Sequence, residues 1–441
     1  MLADSTAQRV FSRVEATTGT LPEHSGAFRI GHRSYIQQFA KFYSVRLDAL
    51  KPLVLASAQK KWSSRASCTA KVLNVERSQL TYIAGTVFIE SAGKPSTLVQ
   101  VAKEHWITDT PEKEVRSAES QVLLEDESGR IQLVGKFVDG SVFVSGTVMA
   151  ALGRETSGGE FEVIDVCYAG MPPQPPRPKS DKVVAFVSGL NVTSEQPVTL
   201  EMQALAEYLC GCAGSSEMQE NVSRIAQVVV AGNLVDMPPA PVGHAEDSKA
   251  NDRAPMQQLV GQLDEYLADI AASVPLTLMP GKHDPTDLAL PQQPVHPSMF
   301  PKSLQYSTFR STTNPGWLHV DGTSMLGTGG QNIDDIAQYA LNDVTKCQMA
   351  AKSLSWRHIA PSAPDTLWCY PFTDSDPFIL TETPHVYFIG SQDEFEAKIA
   401  EGREGQKTAV VMVPDFSKTA EIVLLNLATL QCTTVQFSVG V

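Results

Sequence analysis

Five prolines within nine residues, Met171-Pro-Pro-Gln-Pro-Pro-Arg-Pro-Lys179, constrain the fold of this chain more than any other stretch. Proline lacks a backbone N–H and has a fixed φ, so this segment can lie neither inside a helix nor in a central strand. It reads as a stiff, extended connector between two folding units. The pattern of residues changes across it as that reading requires.

Before the connector, short apolar or alternating runs occur at Thr81 to Ile89, Ser120 to Leu124, Arg130 to Val138, Val142 to Leu152 and Phe161 to Tyr168. Asp126-Glu-Ser-Gly129 and Glu155-Thr-Ser-Gly-Gly159 supply turns between them. Five strands in so short a stretch suit a small barrel of the OB type. After the connector, strands alternate with helical patterns: Val183 to Val187, Leu200 to Cys210, Val228 to Ala231, Met256 to Ala271 and Leu276 to Leu278. Strands return at His385 to Ile389, Ala409 to Val413, Ile422 to Leu427 and Thr433 to Val439. This order predicts an α/β domain with stacked sheets.

Upstream of the barrel, Ile36, Phe39, Tyr43, Leu47, Leu50 and Val54 fall at helical spacing and predict one apolar stripe, on a helix that Pro52 kinks or shortens. The expected division is a loosely ordered N-terminus over 1–34, a helical segment over 35–76, the barrel over 77–170, the connector over 171–181 and the α/β domain over 182–441. The polar, Pro-rich stretch between Asp236 and Ala254 reads as a mobile loop.

A net charge of −14 makes the chain a poor stand-alone binder of nucleic acid, whose backbone demands clustered Lys and Arg. The barrel stretch is itself acidic at Glu112, Glu114, Glu119, Glu125, Asp126 and Glu127 and has few aromatics on its strands, which favours protein contact over single-stranded DNA. No apolar run approaches the roughly 20 residues that span a bilayer, and Met1-Leu2-Ala3-Asp4 lacks the blocks of a signal peptide, so an intracellular protein is expected. The seven cysteines are scattered without zinc spacing, and Cys210-Gly-Cys212 reads as a chance pair at a helix end.

In α/β folds the chemistry gathers at the carboxyl ends of strands. The residues expected there are Ser188-Gly-Leu190, Gly232-Asn-Leu-Val-Asp236, Pro280-Gly-Lys-His-Asp284, Gly327-Thr-Gly-Gly-Gln-Asn332 and Pro384-His-Val-Tyr387. Their order resembles that of binuclear metallophosphoesterases with the ligands replaced. That resemblance implies Asp-x-His where Ser188 and Leu190 stand, a metal-bridging Asp where Asn233 stands, and an Asn ligand where Lys282 stands. It also implies a second His of a Gly-His-x-His motif at Tyr387. Two-metal hydrolysis needs carboxylates and imidazoles that neutralise two cations about 3.5–4 Å apart, and His283 and His385 cannot hold such a pair alone. No catalytic residue, no metal ligand and no cofactor is therefore expected. Asp236 and Asp284 read as cap or turn residues, and His296, His319 and His358 as lone histidines in packing or surface roles. There is no P-loop, dinucleotide fingerprint, nucleophile elbow or His-Glu-x-x-His.

Longer stretches carry a second resemblance: Phe28-Arg-Ile-Gly-His-Arg-Ser-Tyr35, Val274 to Gly281, Leu290-Pro-Gln-Gln-Pro-Val-His-Pro-Ser-Met-Phe-Pro301 and Arg357-His-Ile-Ala-Pro-Ser-Ala-Pro-Asp-Thr-Leu367. With the order of helix, barrel, connector and degenerate phosphoesterase, the chain resembles the B subunits of eukaryotic replicative DNA polymerases, most closely those of polymerase delta. The resemblance implies an OB-fold barrel plus an inactivated calcineurin-like metallophosphoesterase domain, a two-sheet β-sandwich flanked by helices. It implies a non-catalytic nuclear subunit that bridges the C-terminal metal-binding domain of the polymerase delta catalytic subunit to the third accessory subunit, and meets DNA only through the complex. Trp317, Trp368, Tyr370 and Phe372 are candidate interface anchors if exposed. Two rivals remain in view: a phosphodiesterase with an altered metal set at His283, Asp284 and His385, and a barrel that grips single-stranded DNA itself.

Overall fold

The computed structural model describes residues 11–19, 24, 26–34, 36–90, 120–193, 195, 198–236, 253–340 and 344–438. Ahead of the connector run β1 (Thr18–Gly19), α1 (Ala40–Trp62), β2 (Ser67–Cys68), β3 (Thr81–Glu90), β4 (Gln121–Glu125), β5 (Arg130–Val134), α2 (Lys136–Asp139), β6 (Val148–Glu155) and β7 (Phe161–Tyr168). Strands β2 to β7 form one sheet in the order β2-β3-β4-β5-β7-β6, and β3 pairs back onto β6 to close a barrel. The long strand β3 serves two partners, Thr81 to Thr86 pairing with β6 and Thr86 to Glu90 with β4. Gly85 sits at the changeover, where a Cβ would lie 2.5 Å from the Glu125 carbonyl oxygen.

Two of the expected barrel strands are shorter than their apolar runs. β5 stops at Val134 because Gly135, at φ 108°, turns the chain into α2. β6 starts only at Val148, after Gly146 at φ 83°, where a Cβ would meet the Pro361 carbonyl at 1.9 Å. Both breaks depend on left-handed glycine, which hydropathy does not register.

The apolar stripe of α1 also differs from expectation. Phe42, Arg46, Leu50, Val54, Ala58 and Trp62, every fourth residue, form the buried row, while Ile36, Phe39 and Tyr43 are exposed. Leu50 and Val54 lie in this row as expected, but in the first half of the helix a charged residue, Arg46, occupies the inward face and the expected apolar stripe faces outward. Pro52 does not shorten the helix, because it lies on the exposed side, where the Asp48 carbonyl it leaves unbonded is open to water.

Past the connector run β8 (Val183–Val187), α3 (Leu200–Leu209), α4 (Ser216–Ser223), β9 (Ile225–Ala231), α5 (Arg253–Ala271), β10 (Leu276–Met279), β11 (Phe309–Ser311), β12 (Gly316–Val320) and β13 (Thr323–Thr328). They are followed by α6 (Gln331–Ala337), α7 (Lys346–Trp356), β14 (Val386–Gln392), β15 (Glu396–Glu401), β16 (Lys407–Pro414), α8 (Phe416–Thr419), β17 (Glu421–Asn426) and β18 (Cys432–Gln436). Two six-stranded sheets result, β1-β12-β13-β14-β16-β15 and β11-β10-β9-β8-β17-β18. Their facing sides meet through Phe186, Val229, Ala231 and Met279 from one sheet and Leu318, Met325, Phe388 and Val411 from the other. On the outer side of the second sheet, Leu205 of α3 and Leu263 and Leu267 of α5 cover Ala185, Val187 and Val230. The outer side of the first sheet, with Leu326, Tyr387 and Val410, is continuous with α7 and with the barrel interior at Ile83, Leu124 and Phe161. Barrel and sheets therefore share one core.

The expectation of a loosely ordered N-terminus does not hold for residues 11–19 and 26–34. Arg13 donates to the carbonyls of Leu209, Val222 and Ile225, and Thr18–Gly19 pairs with His319 and Val320. Farther on, Ile30 N–H donates to Gln293 Oε1 at 3.1 Å, and Arg33 forms an ion pair with Asp287. These partners come from distant parts of the chain, which composition cannot reveal. The connector is likewise laced to its surroundings: Thr383 Oγ1 donates to the Pro172 carbonyl at 2.6 Å and Gln174 bonds Lys407 through both ends of its amide. The expected loop after Asp236 falls at 237–252, and Glu112, Glu114 and Glu119 of the acidic run at 91–119; both lie outside the described residues.

Of the four candidate anchors, Trp317 and Tyr370 are buried, and Trp368 and Phe372 are half-buried. Trp317 packs into the outer face of the first sheet, and Phe372, packed against the same cluster, meets Tyr370 edge-on at 5.0 Å. No helix among the described residues is long and apolar enough to cross a membrane.

Candidate functional site

The parallel strands β8, β9, β10, β13, β14 and β16 bring their carboxyl ends to one end of the sandwich. At the end of β8, Ser188 is fully buried and its hydroxyl donates to the Ala231 carbonyl at 2.6 Å while accepting from Ser391 N–H at 2.7 Å. Leu190 packs into the apolar cluster beneath α3 and α5. Asn233, held at φ 53°, accepts from His283 N–H through its side-chain oxygen at 3.2 Å. Asp284 is buried and accepts backbone N–H bonds from Gly281 at 2.7 Å, Leu234 at 2.7 Å and Val235 at 3.2 Å. Burial pushes its carboxyl up to about 6, against the pull of those N–H donors. It acts as a loop clasp between the ends of β9 and β10.

Lys282 and His283 point outward. Lys282 is exposed, and the His283 ring lies 3.1 Å from Asp236 on the surface. The expected cation at Lys282 therefore does not act from inside the site.

The structure corrects the last of the five strand-end positions. His385 and Tyr387 lie at the amino end of β14, opposite Ser324 to Leu326. At about 3.3 Å per residue, His385 stands about 20 Å from the carboxyl end of that strand. What reaches the site is Gly390-Ser391-Gln392. His385 instead pins the connector: its Nε2 donates to the Pro175 carbonyl at 3.0 Å and its Nδ1 accepts from Ser324 N–H. The Tyr387 hydroxyl, deep in the core, accepts from Asn332 at 3.0 Å. His283, Asp284 and His385 do not converge.

Two features of the site escape sequence reasoning. The first is Asp415 after β16, a buried carboxylate that accepts from Asn191 Nδ2 at 2.9 and 3.0 Å and from Ser417 at 2.7 Å. The available signal is an acid directly after a strand-ending proline. The second is an amide network: Asn314 donates to Gln292 at 2.7 Å and accepts from Gly329 N–H at 2.9 Å, and Gln292 donates to the Gly281 carbonyl at 2.9 Å. Around it the strand ends close on one another. A Cβ at Gly390 would lie 1.9 Å from the Ala231 carbonyl oxygen, and one at Gly281 would lie 2.3 Å from Asn233 N. Amides, hydroxyls and bare backbone occupy the space between the strand ends, and the two buried carboxylates there, Asp284 and Asp415, are taken up by hydrogen bonds from backbone N–H groups and from Asn191 and Ser417.

Of the lone histidines, His358 has an acid partner that sequence spacing hides. Its Nε2 lies 2.8 Å from Asp376, which also binds Arg46 of α1 at 2.7 Å, and all three are buried. His296 caps a short turn through Ser298. His319 lies on β12 beside His24 and Glu382, on the side of the sheet away from the strand carboxyl ends. Burial pushes its imidazole down to about 4.

Comparison with known proteins agrees with this layout. Residues 38–166 match the DNA polymerase delta subunit OB-fold domain, and residues 184–397 match the family of DNA polymerase alpha/epsilon B subunits. The DNA polymerase delta small subunit of Arabidopsis thaliana is 38% identical over 436 residues, 98% of both chains. The DNA polymerase delta subunit 2 of Drosophila melanogaster is 36% identical over 425 residues, covering 94% of this chain and 96% of its own. A DNA polymerase II small subunit from Methanothermobacter thermautotrophicus is 26% identical over 279 residues, 60% of this chain and 56% of its own. By these matches the chain belongs to the family of DNA polymerase delta small subunits.

Proposed function

We propose that this protein is a non-catalytic accessory subunit of DNA polymerase delta, built on an inactivated calcineurin-like metallophosphoesterase domain. In this reading it bridges the C-terminal metal-binding domain of the catalytic subunit to the third subunit in nuclear DNA replication and repair synthesis. The observation that carries it is the filled space between the strand ends. Ser188, Asn233 and Ser391 are neutral, the carboxylates of Asp284 and Asp415 are engaged by backbone N–H groups and by Asn191 and Ser417, and Gly281 and Gly390 bring backbone to within contact, so two divalent cations would find neither free charge nor room. The shared core of barrel and sheets fits the same role, because a rigid body offers preformed surfaces, and stable subunit contacts bury about 1,200–2,000 Å². The net charge of −14 accords with DNA contact through the complex rather than through this chain.

Co-expression with the C-terminal region of a polymerase delta catalytic subunit tests the bridging role. The expected result is a complex of equal stoichiometry that survives size-exclusion chromatography. Separate elution of the two chains, each folded, would overturn it.

A further inference from the structure

Away from the strand carboxyl ends, one group of side chains has no role in the site. His24 from the N-terminal segment, His319 on β12 and Glu382 from the turn before β14 each offer a ligand atom, and these atoms lie within 4.8 Å of one another. His319 is buried, yet neither of its ring nitrogens has a hydrogen-bond partner among the described residues, and His24 Nδ1 is buried without one. Burying such a ring nitrogen unpaired is costly, so three of them in one place call for an occupant. A cavity of about 380 Å³ opens beside them, lined by His24, Trp317, His319, Arg29, Arg310 and Gln227.

We propose that His24, His319 and Glu382 form a zinc-binding site that fastens the N-terminal segment to the edge of the first sheet. Two imidazoles and a carboxylate are a borderline-soft N/O set of the kind Zn²⁺ takes, with water from the cavity in the fourth position. Tetrahedral bonds of about 2.0–2.1 Å place ligand atoms about 3.4 Å apart, so the three must close from their present spacing. His24 is the ligand that moves. Its ring stacks on Trp317 at 4.3 Å and lies nearly parallel to His319 at 5.3 Å, so turning its side chain directs a lone pair toward the other two ligands. The backbone is already close, since β1 pairs with β12 at Gly19 and His319. The three ligands come from separate stretches of chain, so the ion would act as a cross-link in a part of the fold where β1 supplies only two residues.

The test is metal content of the full-length chain, purified, stripped with a chelator, incubated with Zn²⁺ and dialysed. The expected result is close to one zinc per chain, falling to background in both H24Q and H319A, with a tetrahedral absorption band when Co²⁺ replaces Zn²⁺. The H24Q change lies in the short segment outside the main sheets, so its loss of zinc with circular dichroism unchanged separates ligation from misfolding. The double variant C210S/C212S is expected to keep its zinc. Retention of zinc by H24Q and H319A, or less than a tenth of an equivalent in the unaltered chain, would overturn the site.

Discussion

Arg46→Ala is expected to destabilise the folded chain by about 3–5 kcal/mol, the cost of breaking a buried ion pair by removing one partner. The guanidinium is fully buried in the seam between α1 and the segment 357–376. It bonds Asp376 at 2.7 Å, the Pro361 carbonyl at 2.6 Å and the Ala363 carbonyl at 2.7 Å. Removing it leaves the buried Asp376 carboxylate with only His358 and the Phe378 N–H, and orphans two carbonyls. The readout is the urea midpoint of the full chain, and a shift equivalent to less than about 1 kcal/mol would contradict the account. Adding Asp376→Asn to Arg46→Ala removes the uncompensated charge, so the double variant should cost less than the sum of the singles.

The same group sets a pH dependence. Burial alone would raise Asp376, but the charges and hydrogen bonds of His358 and Arg46 hold its carboxyl well below the ordinary carboxylate range. A carboxyl depressed in the folded state binds fewer protons there than in the unfolded chain. Its contribution is complete above the unfolded value of about 3.9 and is lost as pH falls below it. Stability of the unaltered chain should therefore drop more steeply below about pH 4 than that of the Asp376→Asn variant.

Gly390→Ala is the second substitution with a large expected effect. The new methyl would meet the Ala231 carbonyl oxygen at 1.9 Å and Ser188 Oγ at 2.7 Å, so β14 and β9 must part at their carboxyl ends. Backbone on both sides cannot rotate away, which puts the cost at the upper end of the overpacking range, about 3 kcal/mol. Loss of the Ser188 to Ser391 contact should follow, because the two strand ends are joined there. Gly405→Ala is the control: its Cβ would meet nothing within 4 Å, although its φ of 86° adds some strain. Gly390→Ala destabilising no more than Gly405→Ala would show that the strand ends do not close on one another.

Much of the fold is legible in the sequence because it rests on local patterns. The proline connector, the barrel turns at Asp126 to Gly129 and the buried strands β8, β9 and β16 each have a period or a breaker that one sequence displays. What stays hidden depends on partners far apart in the chain. The stretches 11–19 and 26–34 look polar and free until Arg13, Ile30 and Arg33 are seen on their partners. The first half of the inward row of α1, at Phe42 and Arg46, is missed by hydropathy because Arg46 sits in the core only by virtue of Asp376, some 330 residues away. At the site, Ser188, Asn233 and Asp284 follow from the strand ends, but the motif on β14 points to the wrong end of that strand. His385 is the type a metal motif would contain and Tyr387 stands at its second His, while Ser391, at the actual strand end, carries no chemical signal. The amides of Gln292 and Asn314 are equally silent, since their role is to fill space that charges would otherwise hold.

In the proposed function the strand ends keep a phosphoesterase frame whose metal space is filled, and hydrolysis of bis-p-nitrophenyl phosphate by the purified full-length chain with Mn²⁺ measures whether it is. The expected result is no turnover above the buffer rate, for the unaltered chain and for Asn233→Ala alike. Manganese-dependent turnover that Asn233→Ala abolishes and H319A leaves intact would contradict it, because it would place a working metal pair among the closed strand ends.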